Sequence, residues 1–594
     1  MKFFKTFLAS ILGTLTALFL IITIGFIILM SSSEEPEPYI RDNTVLKLDI
    51  SGEFPIRSNQ NPFDEIFNPE KAKQVSLESL KSNLEKAATD ENITGVWLNI
   101  DFVNSSWATL QEAHAALQTF QDSTDKFLYA TTGDMGYNEK GYYLATAADS
   151  IFSPPSSLFE FDGFYVQSTF YKDLFDKVGI EVQVARKGKY KSAVEPYIRT
   201  EYSEESRYQL NQIVDQVSRE YLEKTSAASG LSIDSLNRML NGQPHFDAGY
   251  AYNEGLIHKL QYPAQMDSVL KRRMGLGEDE EFHTVNNKRY SEVSRSTAGL
   301  SSSSGSNKIA VLYSSGIIVP QSPSSGPFDQ QQFITGEGFR EKLEKIKKDE
   351  DVKALVVHIN SPGGSGSTSD VIWKMLRRTS EEMPVIASMG PVAASGGYYI
   401  AMAADTIVAQ PTTLTGSIGV FSTKFNTKSL FNDKLGITFD RVKSHDHADW
   451  WDPNKPMSED EAQALQHFTD KFYDQFISKV AESRGLTKDQ VHEDAQGRVW
   501  TGADAREQEL VDVLGGLDKA IAIASEKAGI KDYSVVKYPK PKKLIDLLMQ
   551  SAETKAKTWF PTFFASEYTK PLKRALIYRK GDPLAMMPYK ITVE

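Results

Sequence analysis

Ser395 lies in the stretch AASGGYYIA, residues 393–401, between the run PVIASM and an alanine-rich, helix-like segment. A serine hydroxyl attacks a carbonyl only when a base takes its proton and hydrogen-bond donors hold the oxyanion that forms. The next residue, Gly396, would bring an N–H from the first turn of a helix, where donors lack intrahelical partners and the dipole favours negative charge. A second stretch, VVHINSPGGSGS, sets Gly363 and Gly364 directly after a strand-like run. Backbone without side chains can approach a ligand there and aim its N–H groups at it. The two stretches together point to a nucleophile facing an oxyanion hole. Each also has a plainer meaning, since Ser-Gly-Gly serves as a helix N-cap and Pro-Gly-Gly as an ordinary turn.

An internal duplication separates these meanings. Gly141, Tyr142, Tyr143, Ala145, Ala147, Ala148 and Asp149 match Gly397, Tyr398, Tyr399, Ala401, Ala403, Ala404 and Asp405 at one fixed separation. NTVLKLDISG (43–52) resembles NKIAVLYSSG (307–316), and ITGVWLNI (93–100) resembles VKALVVHI (352–359). The chain therefore holds two copies of one unit of about 230 to 250 residues. In the first copy Glu139 and Lys140 replace Ser395 and Gly396, and DFVN replaces NSPG. A serine and glycines that only supported the scaffold would have been retained with the scaffold; their loss points to chemistry confined to the second copy.

Within each copy short β-branched runs alternate with helical patterns, which predicts an α/β fold of two tandem domains, its strands covered by helices. The expected organisation is an N-terminus and anchor over 1–38, a first repeat over 39–290, a Ser/Gly-rich flexible linker over 291–306, a second repeat over 307–540 and an aromatic, basic tail over 541–594. Phe7–Met30 is an uncharged run of 24 residues, long enough to cross about 30 Å of hydrocarbon as a helix. Lys2 and Lys5 precede it and SSSEEPEP follows, which predicts a cytoplasmic N-terminus and both repeats on the far side. The run is too long for a cleaved signal peptide, and no Ala-x-Ala site follows it. The tail interleaves Trp559, Phe560, Phe563, Phe564 and Tyr568 with basic residues, a pattern suited to a membrane interface or to another subunit.

Composition removes other classes. The formal net charge is −12, from 66 basic and 78 acidic residues with no long basic block, which argues against a nucleic-acid partner. Cysteine is absent, so a thiol nucleophile and a cysteine-ligated metal are excluded.

The base is the open question. No histidine lies between His358 and His445. His445, Asp446 and His447 could suggest a metal, but they sit in a Trp/Pro-rich loop without a convincing third ligand. Lysine, neutral when buried, is the remaining type. Arg186, Lys187, Lys189 and Lys191 crowd the stretch RKGKYKSAVEPYIR, residues 186–199, and composition does not choose among them.

That stretch, together with INSPGGS, AASGGYYIA and TGSIGVF, resembles the signal peptide peptidase A (protease IV) family in its long, duplicated bacterial form. The resemblance implies a Clp protease/crotonase-like fold in each repeat, Ser395 as nucleophile, Lys191 as general base and Ser417 as a residue that helps to hold the lysine. It implies an oxyanion hole from the backbone of Gly363 or Gly364 and of Gly396, with no metal or organic cofactor. One complete Ser-Lys dyad would then need both copies. The resemblance further implies a homo-oligomer, a homotetramer shaped as a bowl on the outer face of the bacterial cytoplasmic membrane. Its substrates would be remnant signal peptides and unfolded polypeptides. Two rival readings are a crotonase-like acyl-CoA enzyme and an inactive membrane-anchored scaffold.

Overall fold

The computed structural model describes residues 2–31, 37–57, 75–244, 247–301, 305–322, 332–540, 582–587 and 591–593. In chain order the first copy supplies β1 (Thr44–Gly52), β2 (Ile93–Val103), β3 (Phe127–Thr132), β4 (Ser150–Ser153), β5 (Glu181–Lys187), β6 (Lys259–Leu260) and β7 (His283–Asn286). The second supplies β8 (Lys308–Ser315), β9 (Ile317–Ile318), β10 (Phe333–Ile334), β11 (Val352–Ser361), β12 (Gly363–Ser365), β13 (Val385–Ala394), β14 (Thr406–Ala409), β15 (Leu414–Gly416), β16 (Val420–Asn426), β17 (Val499–Thr501), β18 (Val513–Leu514) and β19 (Ser534–Tyr538). A last short strand, β20 (Leu584–Met586), follows.

Each copy builds the same parallel sheet. The first runs β7-β1-β2-β3-β4-β6 and the second β19-β8-β11-β13-β14-β18. Parallel strands covered on both faces read as near-continuous apolar runs, and KALVVHI in β11 is buried at every position except Lys353. Leu98 and Ile100 in one sheet, and Leu355 and Ile359 in the other, are fully buried. Each such side chain contributes about 1.5–3 kcal/mol relative to exposure.

The residues shared by the copies do the same work in both. Tyr142 Oη donates to the Leu256 carbonyl at 2.6 Å, and Tyr398 Oη to that of Leu510 at 3.0 Å. Tyr143 donates to Glu220 at 3.0 Å, and Tyr399 to Asp370 at 2.7 Å. Asp149 accepts the Leu128 N–H at 2.7 Å and Asp405 the Val385 N–H at 2.8 Å, each tying the helix end to the start of the neighbouring strand. Buried polar groups satisfied in this way are costly to lose.

A third sheet, β10-β9-β12-β20-β16-β5, joins the copies. β5 leaves its own copy and pairs antiparallel with β16 of the other, from Glu181↔Asn426 to Lys187↔Val420. Periodicity does not reveal this exchange, because both strands look like ordinary members of their own repeat.

Residues 294–300, expected to be flexible, are instead fixed against the first copy. Ala298 is buried, its carbonyl accepts from Thr89 Oγ1 at 2.7 Å, and Arg295 pairs with Glu85 at 2.6 Å. The serines here close turns, with Ser294 Oγ accepting the Thr297 N–H, which composition alone does not distinguish from a solvated linker. The N-terminal run forms a helix, Lys2–Ser31, several of whose side chains lie outside the described residues. Among the described residues no helix is long and apolar enough to cross a membrane. The aromatic part of the tail, Trp559 to Tyr568, also lies outside them.

Candidate active site

Three segments meet where the copies join. β13 ends at Ala394, and Ser395 turns the chain into the helix Gly396–Ala401. Its backbone has φ 55° and ψ −110°, an uncommon conformation for a residue with a side chain. Such a state costs about 1–3 kcal/mol and persists only where its surroundings enforce it. The Ser395 side chain makes no capping bond to the helix, so the N-cap meaning of Ser-Gly-Gly fails. Instead the Ser395 N–H donates to the Gly416 carbonyl at 2.8 Å, tying the turn to the end of β15.

Lys191 follows β5 and precedes the short turns Ser192–Val194 and Glu195–Ile198. The Tyr190 N–H donates to the Gln496 carbonyl at 2.9 Å, docking this loop onto the second copy. The lysine stem lies against Gly497, where a methyl group would stand 2.6 Å from Lys191 Cβ, and against Gly419, where one would stand 3.2 Å from Cδ. Gly497 has φ +82° and Gly188, at the start of the loop, φ +106°. Both positions therefore need glycine.

At the end of that stem Lys191 Nζ lies 2.8 Å from Ser395 Oγ, 2.9 Å from the Ser417 carbonyl and 3.0 Å from Ser417 Oγ. Lys191, Ser395 and Ser417 are all fully buried. Burial without a compensating carboxylate pushes the Lys191 pKa well below its ordinary range. A neutral amine keeps a lone pair, so the Ser395 hydroxyl can donate its proton to Nζ while Nζ donates to Ser417. Ser417 is itself held at φ 49°, its N–H donating to the Arg498 carbonyl at 2.6 Å.

Gly363, Gly364 and Gly396 are brought to the same place. A methyl group on Gly363, at φ +94°, would stand 2.6 Å from the Gly396 nitrogen, so a side chain there would cover that N–H. The Gly363 N–H donates to Ser361 Oγ at 3.1 Å, which leaves Gly364 and Gly396 as the pair better placed to face a carbonyl oxygen. β12 is separated from β11 by Pro362 and joins the third sheet, so its glycines stand beside Ser395 and not in line with the main sheet.

The rival bases are elsewhere. His358, within β11, shares a hydrogen with Ser388 Oγ at 3.1 Å, and burial pushes its pKa down to about 4. His445 is exposed beside Ser444, and His447 faces Glu461 at 3.4 Å. Arg186, Lys187 and Lys189 are exposed, Lys187 toward Asp470 and Lys189 over the Tyr190 ring. Among the described residues no group of three or more His, Asp and Glu side chains is placed to hold a metal ion. Sequence reasoning missed Gly497, Gly419 and the Arg498 carbonyl. The only local signal was the Gln-Gly pair at 496–497, which reads as a turn.

The model of peptidase family S49 matches residues 121–276 and 377–531, one segment in each copy. The chain is 37% identical to "Serine protease SPPA, chloroplastic" of Arabidopsis thaliana over 79% of this chain and 68% of that protein. It is 31% identical to "Protease 4" of Salmonella typhi over 87% of this chain and 82% of that one. A solved ClpP1 mutant from Listeria monocytogenes is similar at 14% identity and a TM-score of 0.23, over 36% of this chain and 94% of that one, too low to carry weight. With matching segments in both copies and relatives aligned over most of its length, this chain belongs to peptidase family S49 and is a serine peptidase.

Proposed function

We propose that the chain is an endopeptidase with a Ser-Lys dyad built across the two copies. The observation that carries this reading is the 2.8 Å contact between a fully buried Lys191 amine and Ser395 Oγ. In the proposed reaction Lys191 Nζ takes the Ser395 proton as Oγ attacks the scissile carbonyl. The N–H groups of Gly396 and of Gly364 or Gly363 hold the oxyanion. Lys191 then gives its proton to the departing amine, and a water activated by the same amine releases the acyl group. Ser417 keeps Nζ on the line to Oγ through the two contacts it offers.

Substrates would be extended peptides, because the backbone of β12 beside the nucleophile already pairs with an extended strand, β20, which shows the conformation a chain takes at that edge. Remnant signal peptides and other unfolded polypeptides fit that requirement. The uncharged run Phe7–Met30, with lysines before it and acidic residues after it, supports anchoring in the bacterial cytoplasmic membrane with both repeats outside. A homo-oligomer, with four subunits as the reading to test first, would enclose the sites. The first and second repeats, with boundaries near 39–290 and 307–540, would act as one catalytic unit. The test is turnover of a mixed peptide library read by mass spectrometry, with Ser395→Ala beside the parent. Loss of at least ~10³-fold in rate is expected for the variant, and retention of parental turnover would contradict the reading.

A further inference from the structure

Gln209 links the two halves of the dyad without belonging to either. It stands on the helix Glu204–Ser229 of the first copy and is fully buried. Its Nε2 donates to Ser192 Oγ at 3.1 Å and to the Tyr190 carbonyl at 3.4 Å, the residues on either side of Lys191. Its Oε1 accepts the Val499 N–H of β17 at 3.0 Å. These partners force the orientation of the amide, since a backbone N–H only donates and a carbonyl only accepts. β17 lies at the edge of the second sheet and pairs antiparallel with β15, Gly416↔Val499 in register. The neighbouring Ser417 N–H is bonded to the Arg498 carbonyl, and along such a ladder bonded pairs alternate with non-bonded ones. Gly416/Val499 is therefore a non-bonded pair, and the Val499 N–H points off the sheet edge to Gln209. Gly416 is also the residue whose carbonyl accepts the Ser395 N–H at 2.8 Å.

The duplication indicates that the helix itself does not need this residue. Ser203 caps Glu204–Ser229, and Ser458 caps the matching helix Glu459–Arg484 of the second copy. Six residues after the cap stands Gln209 in one helix and an exposed Ala464 in the other, while the next position is a buried leucine in both, Leu210 and Leu465. Burying an amide is costly unless its polar atoms are hydrogen-bonded. A spare N–H on an edge strand needs one acceptor, which accounts for Oε1 and not for Nε2. Both bonds from Nε2 go to the loop of Lys191. Tyr190 is thus held twice, by its N–H to the Gln496 carbonyl of the second copy and by its carbonyl to Gln209.

We propose that Gln209 is the positioning residue of the dyad, a strut that sets how far the Lys191 loop of one copy stands from the strand end that carries Ser395 in the other. The inference rests on the Ser-Lys reading above. Gln209 touches no reacting atom. It acts through Tyr190 and Ser192 on one side and through Val499 and Gly416 on the other, so that Nζ meets Oγ at 2.8 Å. Its loss lets the two ends move apart and admits water between them. The Lys191 amine then returns toward its ordinary protonation, because burial is what holds its pKa down.

The test is steady-state kinetics of the full chain on a short peptide across pH, with Tm measured beside it, for Gln209→Met, Gln209→Asn and Gln216→Met. Methionine fills the volume without hydrogen-bonding, and asparagine keeps the amide but is too short to reach both sides. Gln216, buried on the same helix, accepts from Arg219 at 2.9 Å and serves as the control. Gln209→Met should lower kcat by about 10- to 10²-fold with KM within about twofold of the parent, and its alkaline limb should lie at higher pH. Gln209→Asn should lose about 10-fold with the limb displaced the same way. Gln216→Met should keep the parental kcat and limb whatever its Tm. Parental kcat and limb in Gln209→Met, or in Gln209→Asn should the methionine variant not fold, overturn the inference and leave the Ser-Lys reading standing. An equal loss in Gln216→Met does the same. Parental turnover in Lys191→Ala overturns both.

Discussion

The two copies start the same helix in two ways. In the first, Asn138 is an ordinary N-cap at φ −89° whose side chain accepts the Gly141 N–H. Its amide also donates to the Val103 carbonyl at 2.7 Å and accepts the Val103 N–H at 3.2 Å. Those bonds close the space between strand end and helix start. In the second copy the matching strand breaks at Pro362, its glycines swing into another sheet, and Ser395 takes a strained turn with no capping bond. Glu139, at the position of Ser395, is buried; burial, with a side-chain hydrogen bond to Asp162, raises its pKa to about 7, and its carboxylate also accepts the Asp162 N–H at 3.2 Å. The same scaffold thus supports either a satisfied, closed corner or an open one with a reactive hydroxyl. Local satisfaction is what the active copy gives up.

Three substitutions break or sharpen that contrast, in falling order of effect. Gly497→Ala places a methyl group against the Lys191 backbone at a positive φ, and should lower kcat by about 10²-fold, since small displacements of a reacting group are costly. Steady-state kinetics on a short peptide would show it, with a KM little changed. Ser417→Ala removes one of the two contacts that Ser417 makes with Nζ and should lower kcat by about 3- to 10-fold, the worth of one hydrogen bond. Asn138→Ala opens the corner of the inactive copy. It should leave turnover unchanged and destabilise the fold by about 1–3 kcal/mol, read as a lower Tm. A loss of turnover without a loss of stability there would mean that the first copy takes part in the chemistry beyond supplying Lys191.

How far the sequence reveals this arrangement depends on the range of the contacts. The paired tyrosines and the Ala-Ala-Asp ending are legible because both copies keep them, and their buried hydrogen bonds explain why. The absence of serine from one copy is equally legible, and it separates scaffold from chemistry without any structure. Lys191 is a different case. Four cations crowd one stretch, and what sets Lys191 apart is burial against Gly497 and Gly419, residues more than 200 positions away in the chain. The crossing of β5 into the other copy has no local pattern either, since an edge strand presents the same alternation whichever sheet it joins. The seating of β20 beside the nucleophile was likewise invisible, because LAMM has no feature that distinguishes it from any short apolar run.

The central claim is that a neutral Lys191 from one copy activates Ser395 of the other, and its most direct test is the rate at which a serine-reactive phosphonate labels Ser395 as a function of pH. Burial lowers the Lys191 pKa, so the proton-accepting form is present above that lowered value and disappears as pH falls through it. Labelling should therefore rise with pH to a plateau, with its midpoint well below the ordinary lysine value of about 10.4. Lys191→Arg, which stays protonated, should label at least ~10²-fold more slowly at every pH. Labelling of Lys191→Arg at the parental rate, or a midpoint near 6.5 that vanishes in His358→Ala, would contradict the account.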